Sequence, residues 1–449
     1  MPGFEQASFL IKKNSATFVY YLLSTFKIAF MRKIILLPFL AILAFALQSC
    51  LKDEITKTYS VFEPIYKSKA EVQAEIKSST AVSISNPGKI YMYGNYIFLN
   101  EVNKGVHIID NANPVNPVIK SFINIPGNVD IAVKGSTLYA DLYTDLVVVD
   151  ISDPLNATLK KVVPKIFPER VYAAGFVQDS DKVIVGWTER KIKETIDQPP
   201  AGRGWIRRDA FLAFSSSSMS GPATSGSSAP VTGIAGSMSR FSIVNNYLYA
   251  VNNSSIRTLD ISAANDPQLK NTIGVGWNIE TIYPFKNKLF IGSSNGMFIF
   301  DISNPAAPVR EGSVAHFRAC DPVVADDTYA FVTLRAGTFC QGTNNQLDII
   351  NVQNVMSPQL VKTYGLTNPH GLAKDGDLLF ICDGSDGLKV YNKSNVLNLQ
   401  VLDRVKNINA YDVIAFNNRL LVVAKGGLYQ YNYSNPSSLS LISKLAVNN

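Results

Sequence analysis

The chain predicts an all-β fold, a β-propeller of four-stranded antiparallel blades, on three observations. First, an apolar strand followed by an Asp-Ile-Ser turn recurs: Val-Val-Val-Asp-Ile-Ser-Asp-Pro at Val147–Pro154 and Phe-Ile-Phe-Asp-Ile-Ser-Asn-Pro at Phe298–Pro305. Weaker copies stand at Ile108–Pro114, Thr258–Pro267, Asp348–Pro358, Lys389–Asn395 and Gln430–Pro436. Second, the copies recur at a period near forty residues, the mark of a repeat fold. Third, the stretches between them read as strands of four to six residues bounded by Gly, Asn, Asp and Pro. A sheet that small cannot bury both its faces, so neighbouring units must stack.

Residues 1–49 read as a leader outside this fold. Arg32 and Lys33 precede the apolar run Ile34–Leu47, and small residues follow. Fourteen helical residues span about 21 Å, short of a hydrocarbon core of about 30 Å, so the run is expected to be a cleaved signal rather than a membrane span. Met31 stands where a start is expected, which leaves residues 1–30 with no structural role. Leu47-Gln48-Ser49-Cys50 resembles a bacterial lipobox, with Gln48 departing from the usual small or apolar residue. The resemblance implies that Cys50 is acylated and anchors the mature chain to a membrane. Leu51-Lys52-Asp53-Glu54 resembles the acidic export tag of surface lipoproteins of Bacteroidetes.

Residues 50–82 are expected to form a tether with a weakly helical stretch around Ala70–Lys77, and residues 83–449 the propeller. The second unit shows the template: strands at Asp130–Val133, Leu138–Asp141, Leu146–Asp150 and Thr158–Val163. With the residue that closes each third strand as a ruler, units fall at Asp110, Asp150, Phe214, Asp260, Asp301, Asn351, Tyr391 and Tyr431. That makes eight blades the preferred count, with seven as the alternative. The third unit carries an insertion at about 188–239. The repeat Asp residues sit at a strand end before a Ser or Asn turn, where a carboxylate accepts backbone N–H groups. Val147–Ser152 and Ile299–Ser303 resemble the LVIVD repeat, named for that strand, over about Pro87 to the C-terminus. The resemblance implies an envelope propeller of the bacterial lipoprotein type and no agreed activity.

The formal charge is +7, but residues 1–50 hold five bases and one acid, which leaves +3 beyond them. No basic block occurs in the repeats, so a nucleic-acid partner is not expected. A phosphate-binding loop and a dinucleotide fingerprint are both missing from the sequence. Gly236–Ser239 belongs to a Ser/Gly-rich run and is no nucleophile elbow. Close Cys pairs of the zinc-site kind are missing too, and the Asp-Gly stretches at 375–377 and 383–387 fit hairpin turns. Neither a metal nor a cofactor is expected.

Aligned on the second strand, the units place Lys89, Asp130, Arg240, Thr281, Asp321, Gly371 and Asp412 in one column. Val129, Ser239, Glu280, Cys320, His370 and Tyr411 fill the next. Both columns open on one mouth of the central channel, where convergent polar groups make a binding site. Asp130, Arg240, Glu280, Asp321, His370 and Asp412 are the candidate residues. The insertion offers a second surface, with Trp205 and Arg203 as binding residues. Cys320 and Cys340 are expected to form a disulfide at the same mouth, with Cys382 the other thiol within reach.

These observations predict a lipid-anchored binding or assembly module for a protein or glycan, in the bacterial cell envelope at the outer membrane, with surface display open. The alternative is a propeller hydrolase or lyase acting on extracellular carbohydrate at the channel mouth, with paired carboxylates such as Asp130 and Asp412 at work.

Overall fold

The computed structural model describes residues 55–168, 170, 172, 181–196, 234–315, 322–337 and 344–448. Cys50, Arg203, Trp205, Cys320, Asp321 and Cys340 lie outside the described residues, as does the ruler position Phe214. The chain divides into two compact units, residues 1–62 with 189–204, and residues 63–188 with 205–449. In the first, the backbone belongs to a two-stranded ribbon, Ile55–Ser68 paired with Lys182–Ile196, whose strands also run into the second unit. Within the first unit Ser60 Oγ donates to Glu189 Oε1 at 2.6 Å.

The second unit begins with a one-and-a-half-turn helix, Lys69–Ala74. It starts there because Ser68 and Glu71 form a capping box that satisfies two otherwise orphaned N–H groups. The propeller follows. Among the described residues, seven four-stranded antiparallel units span 87–124, 131–163, 241–274, 279–315, 323–365, 372–405 and 410–446, here blades 1 to 7; five are separate sheets, and the first two are joined through Lys77–Thr80 into one larger sheet. In each, the first strand touches the first strand of the next blade, and that of blade 7 touches that of blade 1. The ring therefore closes at seven, the second of the two counts expected. Blade 2 abuts blade 3 directly, so the long insertion lies between them rather than inside an extra blade.

The period of the repeat has a local cause. Asp110, Asp150, Asp260, Asp301, Asn351, Asn392 and Asn432 each accept the backbone N–H two residues on, at 2.7–3.1 Å. The N–H of the next residue then bonds the first hairpin of its own blade at 2.8–2.9 Å in all seven units. An Asx turn of this kind redirects the chain from the third strand to the fourth. In blades 6 and 7 the position is filled by Asn392 and Asn432, not by Tyr391 and Tyr431 as the ruler had it. The amide oxygen of Asn does what a carboxylate oxygen does, so the motif loses its Asp without losing its turn.

Packing then follows strand position. The middle strands are covered on both faces, as Leu146–Val149 shows with every residue buried, and the fourth strands are largely exposed, as in Gln268–Gly274. Apolar clusters fill each gap between blades; the one that closes the ring joins Ile90 and Ile97 of blade 1 to Ile414 and Leu421 of blade 7. Tyrosines add bonds across the gaps: Tyr139 Oη to Ala264 O at 2.8 Å, and Tyr249 Oη to Pro305 O at 3.0 Å. A buried phenol needs such a partner. Lys77–Thr80 pairs with the outer edge of blade 1 and, through Lys77, reaches Thr158 of blade 2. Gly427 (φ 125°) opens the third strand of blade 7 where a Cβ would sit 2.0 Å from Leu445 O, so only glycine fits.

Candidate functional site

The loops entering the first strands and the hairpins joining second to third strands meet on one face. Backbone bonds tie them together, as from Asn103 N to Asn128 O at 2.7 Å and from Ser294 N to Asn278 O at 3.0 Å. The described members of the two aligned columns lie here, and they separate by depth. Lys89, Asp130, Thr281 and Asp412 are interior, with Asp130 and Asp412 each only 2% exposed. Glu280, Arg240 and Tyr411 are half-buried above them. The expectation of an open mouth lined by Asp130 and Asp412 is therefore corrected: both carboxylates are covered.

What covers them is the segment 234–240. Ile234–Ala235 adds antiparallel to the first strand of blade 1, opposite Met92 and Tyr91. The chain then crosses the channel before entering blade 3 at Phe241. Ser239 Oγ donates to Asp130 Oδ1 at 3.1 Å, and the Arg240 N–H donates to Asp130 Oδ2 at 2.6 Å. Lys89 Nζ, its ammonium weakened by burial, pairs with the same carboxylate at 3.2 Å. Asp130 thus has every acceptor direction used. Beside it Asp141 accepts N–H groups from Val129 and Asp130 at 2.8 Å, while burial pushes its carboxyl upward.

Asp412 differs. Neither of its oxygens has a partner of good hydrogen-bond geometry, although the N–H groups of Val413 and Ser237 lie near enough to favour the ionised form. Burial outweighs them and pushes its pKa to about 7. The carboxyl is wedged between two glycines: a Cβ on Gly236 would fall 2.0 Å from Oδ2, and one on Gly371 2.2 Å from Oδ1.

His370 precedes Gly371 at the entry to blade 6, next to blade 7. Arg335 Nη1 donates to its Nδ1 at 2.7 Å, and Asn368 Nδ2 lies 3.3 Å from Nε2. Burial first, and then the neighbouring guanidinium, hold its pKa down at about 3, so the ring is neutral. With Nδ1 accepting from an arginine, His370 is poorly placed to take a proton from a substrate. Its ring rests against Tyr411 at 5.3 Å between centroids.

The Arg335 guanidinium finds only that imidazole among the described residues, and the Arg240 guanidinium has neither an ion pair nor a hydrogen bond there. Glu280 lies within electrostatic reach of both. Burial weakens the protonation of each arginine, but a guanidinium stays charged at any ordinary pH. Trp277, which the sequence analysis did not single out, stands 78% exposed in the loop leading to Glu280. Its only sequence signal was a Trp inside a turn. Cys382 is a free, fully buried thiol raised well above its ordinary range by burial. Among the described residues no three His, Cys, Asp or Glu side chains gather closely enough to hold a metal ion.

The family described as the LVIVD repeat matches residues 86–124, 127–164 and 287–316, which fall on blades 1, 2 and 4. No curated protein sequence matches the chain. Among solved structures, BamB from Moraxella catarrhalis is similar at 10% identity, covering 82% of this chain and 97% of that one, with a TM-score of 0.45. PorZ, a surface component of the type-IX secretion system of Porphyromonas gingivalis, is similar at 12% identity over 81% of this chain and 39% of that one, TM-score 0.45. The computationally designed Ika8 protein gives 8% identity, 83% and 92% coverage, and a TM-score of 0.49. The chain is a seven-bladed β-propeller that carries LVIVD repeats.

Proposed function

We propose that this propeller is a binding or assembly module for a protein or glycan, held to the bacterial outer membrane by a lipid on Cys50. One observation carries the recognition surface. Arg240 and Arg335 present guanidinium groups at a half-buried mouth with no carboxylate hydrogen-bonded to them among the described residues, although Asp141, Asp130 and Glu280 lie within electrostatic reach of Arg240 and Glu280 within reach of Arg335. Such a fork suits an anion, a carboxylate above all. The exposed Trp277 offers an aromatic face beside it, of the kind that anchors interfaces and sugar rings. Asp321, Trp205 and Arg203 stay candidates for the same role on sequence grounds.

A carbohydrate hydrolase built on Asp130 and Asp412 fits less well. Both are covered by the segment 234–240, and Asp130 is already saturated with donors. The test is a glycan array of carboxylated and neutral oligosaccharides, probed with the full chain and with an Arg240→Ser/Arg335→Ser variant. Retention of carboxylated probes that the variant loses is the expected result. Equal retention by both proteins, or cleavage of the probes, would overturn the reading. For the anchor, Cys50→Ser should move the protein out of the membrane fraction.

A further inference from the structure

The segment that crosses the channel is held as a bound peptide would be. Every described blade but one contributes a specific group to it, blade 3 through the Val251 N–H to the Arg240 carbonyl at 2.7 Å. Blade 1 supplies strand pairing at Ile234–Ala235, the Ile90 carbonyl for the Gly236 N–H (3.4 Å) and Lys89 Nζ for the Met238 carbonyl (3.2 Å). Blade 2 supplies Asp130 for the Ser239 hydroxyl and the Arg240 N–H. From blade 4 the Ile282 N–H donates to the Ser239 carbonyl at 2.9 Å. From blade 6 the Leu372 N–H donates to Ser237 Oγ at 2.6 Å. Blade 7 supplies the steric selector, Asp412, against which no residue larger than Gly236 fits. Ser237, Met238 and Ser239 are all buried.

These contacts read backbone groups, two hydroxyls and one missing side chain. They would serve the same sequence whether or not it belonged to this chain. We infer that the axial channel is a peptide-binding site for an extended Gly-Ser-x-Ser segment, selective for glycine opposite Asp412, and that residues 234–240 occupy it in cis. The inference concerns the channel interior and does not rest on anion recognition at the mouth.

The groups facing Asp412 are Lys89 from blade 1, Asp130 from blade 2, Cys382 from blade 6 and the Ser237 N–H from the segment itself. Gly236 and Gly371 leave no room for a side chain against this carboxyl, and neither of its oxygens has a donor of good geometry.

The experiment uses the full chain bearing Gly236→Val and a fluorescein-labelled peptide with the sequence of residues 232–238. The peptide stops at Met238 because Arg240 continues directly into blade 3. Fluorescence anisotropy is expected to show at least tenfold tighter binding to the variant than to the wild type, whose channel is filled. A peptide with valine in place of the glycine that matches Gly236 should bind neither. If Gly236→Val does not fold by circular dichroism, a Ser237→Ala/Ser239→Ala chain, which keeps the volume and removes the hydroxyl contacts, takes its place with the same expectation. A folded variant that does not take up the peptide overturns the inference. So does equal binding of the glycine and valine peptides.

Discussion

Replacing Asp412 by Asn isolates the one carboxyl in the channel that the fold does not satisfy. Its pKa stands at about 7 against the ordinary aspartate value of 3.8, chiefly through burial. Because the folded value is raised, the neutral form is the one the fold accommodates. The stabilising contribution is complete below about pH 4 and disappears as the pH rises through about 7. Three units at about 1.4 kcal/mol each make the full cost of ionising this group in place about 4 kcal/mol. Asn at 412 keeps the shape and removes the titration. The difference in unfolding free energy between variant and wild type should therefore be small at pH 4. It should grow by about 1.4 kcal/mol per pH unit and level off above pH 7 near 4 kcal/mol in favour of the variant. Urea unfolding monitored by tryptophan fluorescence between pH 4 and 8.5 measures it. Asp141 is also raised, but it is present in both proteins and drops out of the difference. A difference that stays flat across that range would refute the reasoning, since it would mean that Asp412 is solvated or paired in the folded protein.

Three further outcomes follow from other contacts. Glu101, buried in blade 1, accepts from Ser85 Oγ, from the N–H groups of Ser85 and Asn86 (3.1 and 2.6 Å) and from His107 Nε2 at 3.0 Å, which hold its pKa at about 2 against the pull of burial. Glu101→Gln should cost about 2 kcal/mol near neutral pH by urea unfolding. It should also flatten the loss of stability that the wild type shows as the pH falls from about 4.5 toward 2, because this pKa is depressed on folding. Arg335→Met removes the cation against His370, so the imidazole midpoint followed by NMR should rise from about 3 by roughly one unit; no movement would mean that burial alone sets it. At the repeat position of blade 3, Asp260→Asn should leave the urea midpoint nearly unchanged while Asp260→Ala lowers it, because the turn needs an acceptor and not a charge. Equal losses for both would assign the role to the Lys270–Asp260 ion pair instead.

How far the sequence could be read depended on how local each cause is. In Asp150-Ile151-Ser152 the side chain bonds a backbone group two residues away, and that geometry repeats as a visible motif. The strands of blade 2 were legible to within about a residue for the same reason. The slip from Asn392 to Tyr391 arose because Asn and Asp satisfy one turn with different letters, and the ruler followed the apolar run past it. The columns of the mouth were aligned well enough to bring Lys89 to Asp130 and Gly371 to Asp412.

By itself, then, the amino-acid sequence determined the all-β class, the antiparallel four-stranded unit and the face on which the polar groups gather, since these rest on hydrophobic period and turn chemistry within some forty residues. Tertiary structure decided the closure at seven blades, the pairing of Arg335 with a neutral His370, and the burial of Asp130 and Asp412 beneath residues 234–240. Each of these joins positions separated by 35 to more than 170 residues. Their contacts depend on how many blades the ring needs to bury its faces, and no local pattern encodes that number.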